Sequence, residues 1–120
     1  MHETNSMGGS LKGRWTNEMR AENVCDSNGN PTGGNVRGVG LSIDWQNGPL
    51  GRGAEKIAAS GAFVEDIVLA AIQRLQFFQE SKFKCRENAL ALTHLEDALH
   101  WLEHRHDARE ARQVQGLHKP

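Results

Sequence analysis

The stretch that decides the fold runs from Cys85 to Gln115 and reads CRENALALTHLEDALHWLEHRHDAREARQVQ. Leu92, Leu95, Leu99 and Leu102 fall three, four and three residues apart, the spacing that lines side chains along one stripe of an α-helix. Arg105, Arg109 and Arg112 continue at four and three, so their guanidinium groups fall on a common face at the far end of that helix. A guanidinium is planar, permanently charged and suited to bidentate capture of phosphate, which makes the stripe a candidate phosphate clamp. The competing reading is an ordinary helix end, where the dipole favours cations and exposed arginines are simply solvated.

Upstream, Val64, Ile67, Val68, Ala71, Ile72, Leu75 and Phe78 repeat the three-and-four spacing of a buried helical face. The pattern predicts a helix over about 61–80, with Ser60 as its cap and Glu65 and Asp66 against its positive end. A second helix is predicted over about 85–115, stopped by Gly116 and Pro120. The connector Ser81-Lys-Phe-Lys84 is short, so the two helices should fold back as an antiparallel hairpin.

Ahead of the helices, Trp15, Val24, Val36, Val39, Leu41, Ile43 and Trp45 alternate with polar residues or glycine, most clearly in Leu41-Ser-Ile-Asp-Trp45. This predicts two strands, about 14–25 and about 35–46, joined through the turn-rich Asp26-Ser-Asn-Gly-Asn-Pro-Thr-Gly-Gly34. Asn47-Gly-Pro-Leu-Gly-Arg-Gly53 ends the second strand. Residues 1–12 are polar, glycine-bearing and aperiodic, and are expected to form a mobile arm. The fold class is therefore α+β: an N-terminal antiparallel β-ribbon followed by an antiparallel two-helix hairpin, in a single domain over 13–120. The helical faces are wider than one hairpin can bury, and Trp101 lies one residue off the leucine seam. A two-stranded ribbon is also marginal alone, so the core is expected to be completed in a homo-oligomer.

With 120 residues, 38% of them hydrophobic, the chain has material for one modest core. A net charge of −1 argues against binding polymeric nucleic acid and leaves phosphate recognition to a local pocket. No apolar run is long enough for a membrane span and no secretion signal stands out, so no membrane association and a cytosolic setting are expected. Cys25 and Cys85 have neither zinc-site companions nor a disulfide framework. His100 and His104 share a helical face near Asp97 and Asp107, but no Glu follows the first histidine and no third ligand stands at fixed spacing, so no metal is expected. Gly48 to Gly53 lacks GK[ST] and the strand–GxGxxG–helix order, and reads as a turn. No nucleophile-and-base set emerges, and neither enzymatic activity nor a cofactor is expected.

Several segments are recognisable together: Gly38-Val-Gly-Leu-Ser-Ile-Asp-Trp-Gln-Asn-Gly-Pro-Leu-Gly51, Gly61-Ala-Phe-Val-Glu-Asp66, Cys85-Arg-Glu-Asn-Ala-Leu-Ala-Leu-Thr93, and Leu99-His-Trp-Leu102 with Arg105 and Arg109. From about Trp15 to His118 the chain resembles the phage anti-Thoeris sponge family, whose helical hairpin is shared with an anti-CBASS sponge family. The resemblance implies a non-enzymatic protein of the infected bacterial cytoplasm. Such a protein sequesters, intact, cyclic ADP-ribose isomers made by TIR-domain immune sensors, and is a homodimer or a hexamer. It places the ligand-contacting aromatic on Phe78, the amide on Asn88 and the phosphate-contacting arginine on Arg105, with Arg109 beside it. A basic residue of the loop after the ribbon falls on Arg52, with Lys56 as rival. Gln113-Val-Gln-Gly-Leu-His118 departs from the Gly-Val-Glu-Gly-Thr-His pattern of such relatives.

These types suit a nucleotide, since an aromatic face stacks adenine, an amide reads its edge and arginine grips pyrophosphate. Without the resemblance, Phe78 would read as core and Asn88 as local capping. Asn88 and Arg105 stand 17 positions apart, about 25 Å along one helix, so one ligand touching both needs an antiparallel second chain. Two alternatives remain: a sponge for cyclic dinucleotides or trinucleotides of CBASS, and a phage protein-interaction module whose helices bind a host factor.

Overall fold

In the computed structural model, which describes the backbone of residues 7–12 and 18–120 and the side chains from Met19 onward, the chain divides into two compact units. One comprises residues up to Ala62 together with Gly116–Pro120, and the other comprises Phe63–Gln115.

The first unit is a four-stranded antiparallel meander in the order β1 (Met7–Lys12), β2 (Glu18–Cys25), β3 (Pro31–Gly38) and β4 (Leu41–Asp44). The ribbon expected from the sequence corresponds to β2, β3 and β4, its second strand being divided in two, and the structure adds β1 at the edge beside β2. Residues Met7–Lys12, read as part of a mobile arm, pair with β2 from Met7 opposite Asn23 to Lys12 opposite Glu18. The ladder uses backbone groups alone, so an edge strand does not need the alternation whose absence led to the arm reading. The rest of that arm, residues 1–6, and the part of the expected first strand at 14–17, with Trp15, lie outside the described residues.

The expected second strand splits in two at Val39-Gly40. Gly38 pairs with Leu41 across this turn, and Gly40 takes φ 74. The turn is marked in the sequence by a slip of phase, because Val36 and Val39 stand an odd number of residues apart whereas Val39, Leu41, Ile43 and Trp45 alternate. The loop before β3 is also shorter than the turn-rich segment promised. Asp26 Oδ1 accepts from the Asn28 and Asn30 N–H groups at 2.9 and 3.0 Å, and Asn30 Nδ2 donates to Asp26 Oδ2 at 3.1 Å, closing the tip within five residues. A Cβ on Gly34 would run into the Glu22 carbonyl oxygen across the ladder, so this pairing requires glycine.

The second unit is an antiparallel hairpin of α1 (Val64–Gln79) and α2 (Arg86–Ala111). Each helix has a different start from a simple polar cap. Phe63, not Ser60, is the N-cap of α1, and the Asp66 carboxylate accepts from the Phe63 N–H at 2.8 Å. That is the acidic half of a capping box, the only half a phenylalanine permits. Ser60 instead belongs to the sheet unit, where its N–H donates to Gln46 Oε1 at 2.7 Å. At α2 the Cys85 Sγ accepts from the Asn88 N–H at 3.4 Å.

The second helix ends before the predicted 115. Arg112 is its C-cap and Gln113 takes φ 58. The Val114 N–H donates to the Arg109 carbonyl and the Gln113 N–H to the Glu110 carbonyl, at 3.1 and 2.9 Å. This is the Schellman pattern, with Gln113 where glycine is usual.

Each unit has one buried apolar side chain among the described residues, Ile43 in the sheet and Ile72 in the hairpin. Large apolar side chains stay exposed on both helices, among them Leu69, Phe77, Leu90 and Trp101. None of the described helices is long and apolar enough to cross a membrane.

Candidate functional site

Phe78 and Asn88 come together at the connector end of the hairpin. Phe78 is the penultimate residue of α1, and Asn88 is the third residue of α2. Gln79 links the two helix ends twice, its Nε2 donating to the Cys85 carbonyl at 3.1 Å and its Oε1 accepting from the Cys85 N–H at 3.0 Å. Ser81 Oγ donates to the Phe78 carbonyl at 2.6 Å and accepts from the Phe83 N–H at 3.1 Å, which shapes the connector. The Phe78 ring is half-buried and meets the exposed Phe77 ring edge to face, with centroids 5.7 Å apart. Asn88 uses its backbone N–H in the cap to Cys85, while its half-buried side-chain amide has no hydrogen-bond partner among the described residues. An aromatic ring and an uncommitted amide at the same end of a hairpin are the groups that stack and read a nucleobase.

Sequence reasoning missed a cation at this end. The Arg74 guanidinium lies 4.9 Å from the Phe78 ring centroid and 5.1 Å from that of Phe77. Its signal was present, because Arg74 precedes the two phenylalanines by three and four residues on a helix. Lys82 Nζ likewise lies 5.2 Å from the Phe83 ring.

The expected phosphate clamp sits at the opposite end of α2, and its members differ in environment. Arg105 is exposed. Arg109 is only 7% exposed and is the one buried charged residue among those described. Its Nε donates to Gln115 Oε1 at 3.1 Å and its Nη2 to the Val114 carbonyl at 2.9 Å, so part of its donor set serves its own helix end. Burial first, and then repulsion from Arg105 and Arg112, pulls its guanidinium below the ordinary arginine value.

Near that end, Glu65, Leu102, Glu103, His106 and Asp107 line a shallow cleft of about 290 Å³. Three carboxylates make it unsuited to a phosphate. His100 and His104 flank the exposed Trp101 ring edge-on, with centroids 5.5 and 5.6 Å away. The described residues include no group of three or more His, Cys, Asp or Glu side chains able to hold a metal.

Arg52 belongs to the sheet unit. It is half-buried and precedes a single 3₁₀ turn over Gly53–Glu55, whereas Lys56 just beyond the turn is exposed. Gly116–Pro120 fold beside it in the same unit: the Gly51 N–H donates to the Gly116 carbonyl at 2.9 Å, and His118 Nε2 lies 3.3 Å from the Pro31 carbonyl oxygen. The structure thus brings Phe78 with Asn88, and Arg105 with Arg109, but as two separate groups on one hairpin.

Comparison with known proteins bears on the same segment. The family described as Acb2/Tad1, hairpin domain, matches residues 39–105, more than half of the 120 in the chain. The matched span includes Arg52, Phe78, Asn88 and Arg105 and stops short of Arg109. Thoeris anti-defense 1 of Bacillus phage SBSphiJ7 is 45% identical over 78 residues, which are 65% of this chain and 52% of that protein. The chain therefore spans about half the length of the curated relative it matches.

Proposed function

The chain belongs to the Acb2/Tad1 hairpin-domain family, and from that premise we propose that it is a phage anti-defence sponge. In this reading it binds cyclic ADP-ribose isomers made by TIR-domain sensors in the infected bacterial cytoplasm and holds them intact, so that the Thoeris effector is not activated. The observation that carries the reading is the placement of Phe78 and the uncommitted Asn88 amide at the same end of the family-matched hairpin. Together they offer a base-stacking face and a base-reading edge.

A nucleotide also needs its phosphates met. Arg105 stands 17 positions beyond Asn88 on α2, about 25 Å along the axis. A second hairpin running antiparallel would bring its Arg105 to the first hairpin's Phe78 and Asn88, and two-fold symmetry would make two equal pockets. Exposed Leu90 and Trp101 on α2 supply apolar surface for such a homodimer, or for its assembly into a hexamer. Arg109 supports Arg105 from the next turn. Sequestration asks for deep burial and tight binding, with no general base or nucleophile.

The test is calorimetry with glycocyclic ADP-ribose, followed by denaturation of the complex and chromatography of what it releases. Saturable binding with recovery of intact ligand is the expected result. A cleaved product would move the protein to a hydrolase. Stronger binding of a cyclic dinucleotide or trinucleotide in the same assay would move the main ligand to the CBASS signals.

A further inference from the structure

The connector end of the hairpin carries a cation with no assigned task. Arg74 is exposed, its guanidinium lies against Phe78 and Phe77 at 4.9 and 5.1 Å, and no carboxylate pairs with it among the described residues. A guanidinium held against an aromatic ring is attracted through the ring's quadrupole while its N–H edge stays open to an anion. We propose that Arg74 recognises a phosphate of the nucleotide whose base lies against Phe78. The inference rests on the sponge reading, because it takes Phe78 as the base platform.

Three features single out Arg74. It stands one helical turn before Phe78 on the same face of α1, so a ligand reaching Phe78 is within its sweep. The two phenylalanine rings, set edge to face, limit where its guanidinium can rest, which reduces the ordering cost of gripping an anion. Among the other cations at this end, Lys82 lies over Phe83, and no ring contact places Lys84 or Arg86 against Phe78. Arg74 would give each protomer a phosphate contact of its own, in addition to the Arg105 of a second chain.

The experiment compares the full-length protein with Arg74→Gln and Arg74→Lys, titrating glycocyclic ADP-ribose by calorimetry at several salt concentrations. Arg74→Gln should weaken binding by about tenfold or more and flatten the dependence of affinity on salt, as loss of one charge-assisted phosphate contact requires. Arg74→Lys should recover the salt dependence and part of the affinity. Wild-type affinity in Arg74→Gln, or weaker binding with an unchanged salt slope in both variants, would overturn the proposal and leave the sponge reading standing. Failure of the wild-type protein to bind any cyclic nucleotide would remove both.

Discussion

Arg109 and Val114 are joined twice: the Val114 N–H donates to the Arg109 carbonyl at 3.1 Å, and Arg109 Nη2 donates back to the Val114 carbonyl at 2.9 Å. The first bond belongs to the Schellman turn that ends α2, and the second closes it with a side chain. A residue whose spacing marks it for phosphate therefore also secures the end of its own helix. Lysine has the charge but lacks the fork needed to reach both Val114 and Gln115. Arg109→Lys should speed hydrogen exchange at Gln113 and Val114 and lower the melting temperature, while exchange at the connector end near Asn88 stays as in the wild type.

Ile72 is the one buried apolar side chain described in the hairpin. Truncating it removes buried contacts and leaves a cavity, at a cost of about 2–5 kcal/mol. Urea denaturation of Ile72→Ala should report a loss in that range, whereas Leu69→Ala, at a site 43% exposed, should cost clearly less.

How much of this was legible in the sequence depends on which physical signal each part leaves. The hairpin follows from apolar residues at three-and-four spacing and a short connector, and its α1 and α2 differ from expectation only at their ends. Those ends were set by Phe63 with Asp66 and by Gln113 at positive φ, neither a residue that advertises a cap or a stop. The outer strands were harder to read. The chain at Met7–Lys12 has no alternation because a ladder needs only backbone groups, and the turn at Val39-Gly40 left only a slip of phase. Of the candidate site, Phe78 and Asn88 could be placed at one end by counting along two helices. Arg74 could not be found by a search for residues that contact ligand in relatives, since its mark is a position relative to two rings.

Glycines in the sheet unit should differ sharply in tolerance. Gly29 at φ 78 has open space where a Cβ would stand, so Gly29→Ala carries mainly the left-handed backbone cost, about 1–2 kcal/mol. Gly34 at φ 135 adds a clash with the Glu22 carbonyl oxygen across the β2–β3 ladder, and its alanine variant should lose roughly 3 kcal/mol or more. Chemical denaturation of the two variants side by side measures the difference.

The Asp26 tip gives a pH prediction. Hydrogen bonds from the Asn30 backbone, then from its side chain, then from Asn28 hold the Asp26 carboxyl below its ordinary value against the opposing effect of desolvation, with a smaller pull from His118. A carboxyl with a lowered folded pKa stabilises the fold above its unfolded value and loses that contribution as pH falls through the folded value. The amides of Asn28 and Asn30 should thus keep their protection throughout the neutral range and lose it only below about pH 4. Carboxyl and amide NMR titration would read this directly, and a midpoint for Asp26 above the usual aspartate value would reject it.

Sharing of the pocket between protomers can be tested without a structure of the complex. Phe78→Ala and Arg105→Ala homodimers should each lose tight binding, one for want of the base platform and the other for want of the phosphate contact. When equal amounts are unfolded together and refolded, each heterodimer combines one doubly substituted pocket with one that is fully wild type. Random pairing then leaves roughly a quarter of all pockets intact, and these should bind with wild-type affinity at reduced stoichiometry. Calorimetry separates that result from a general weakening, because stoichiometry and affinity are read independently. If Phe78 and Arg105 of one chain served the same pocket, mixing would create no intact site and the refolded sample would bind no better than its two parents.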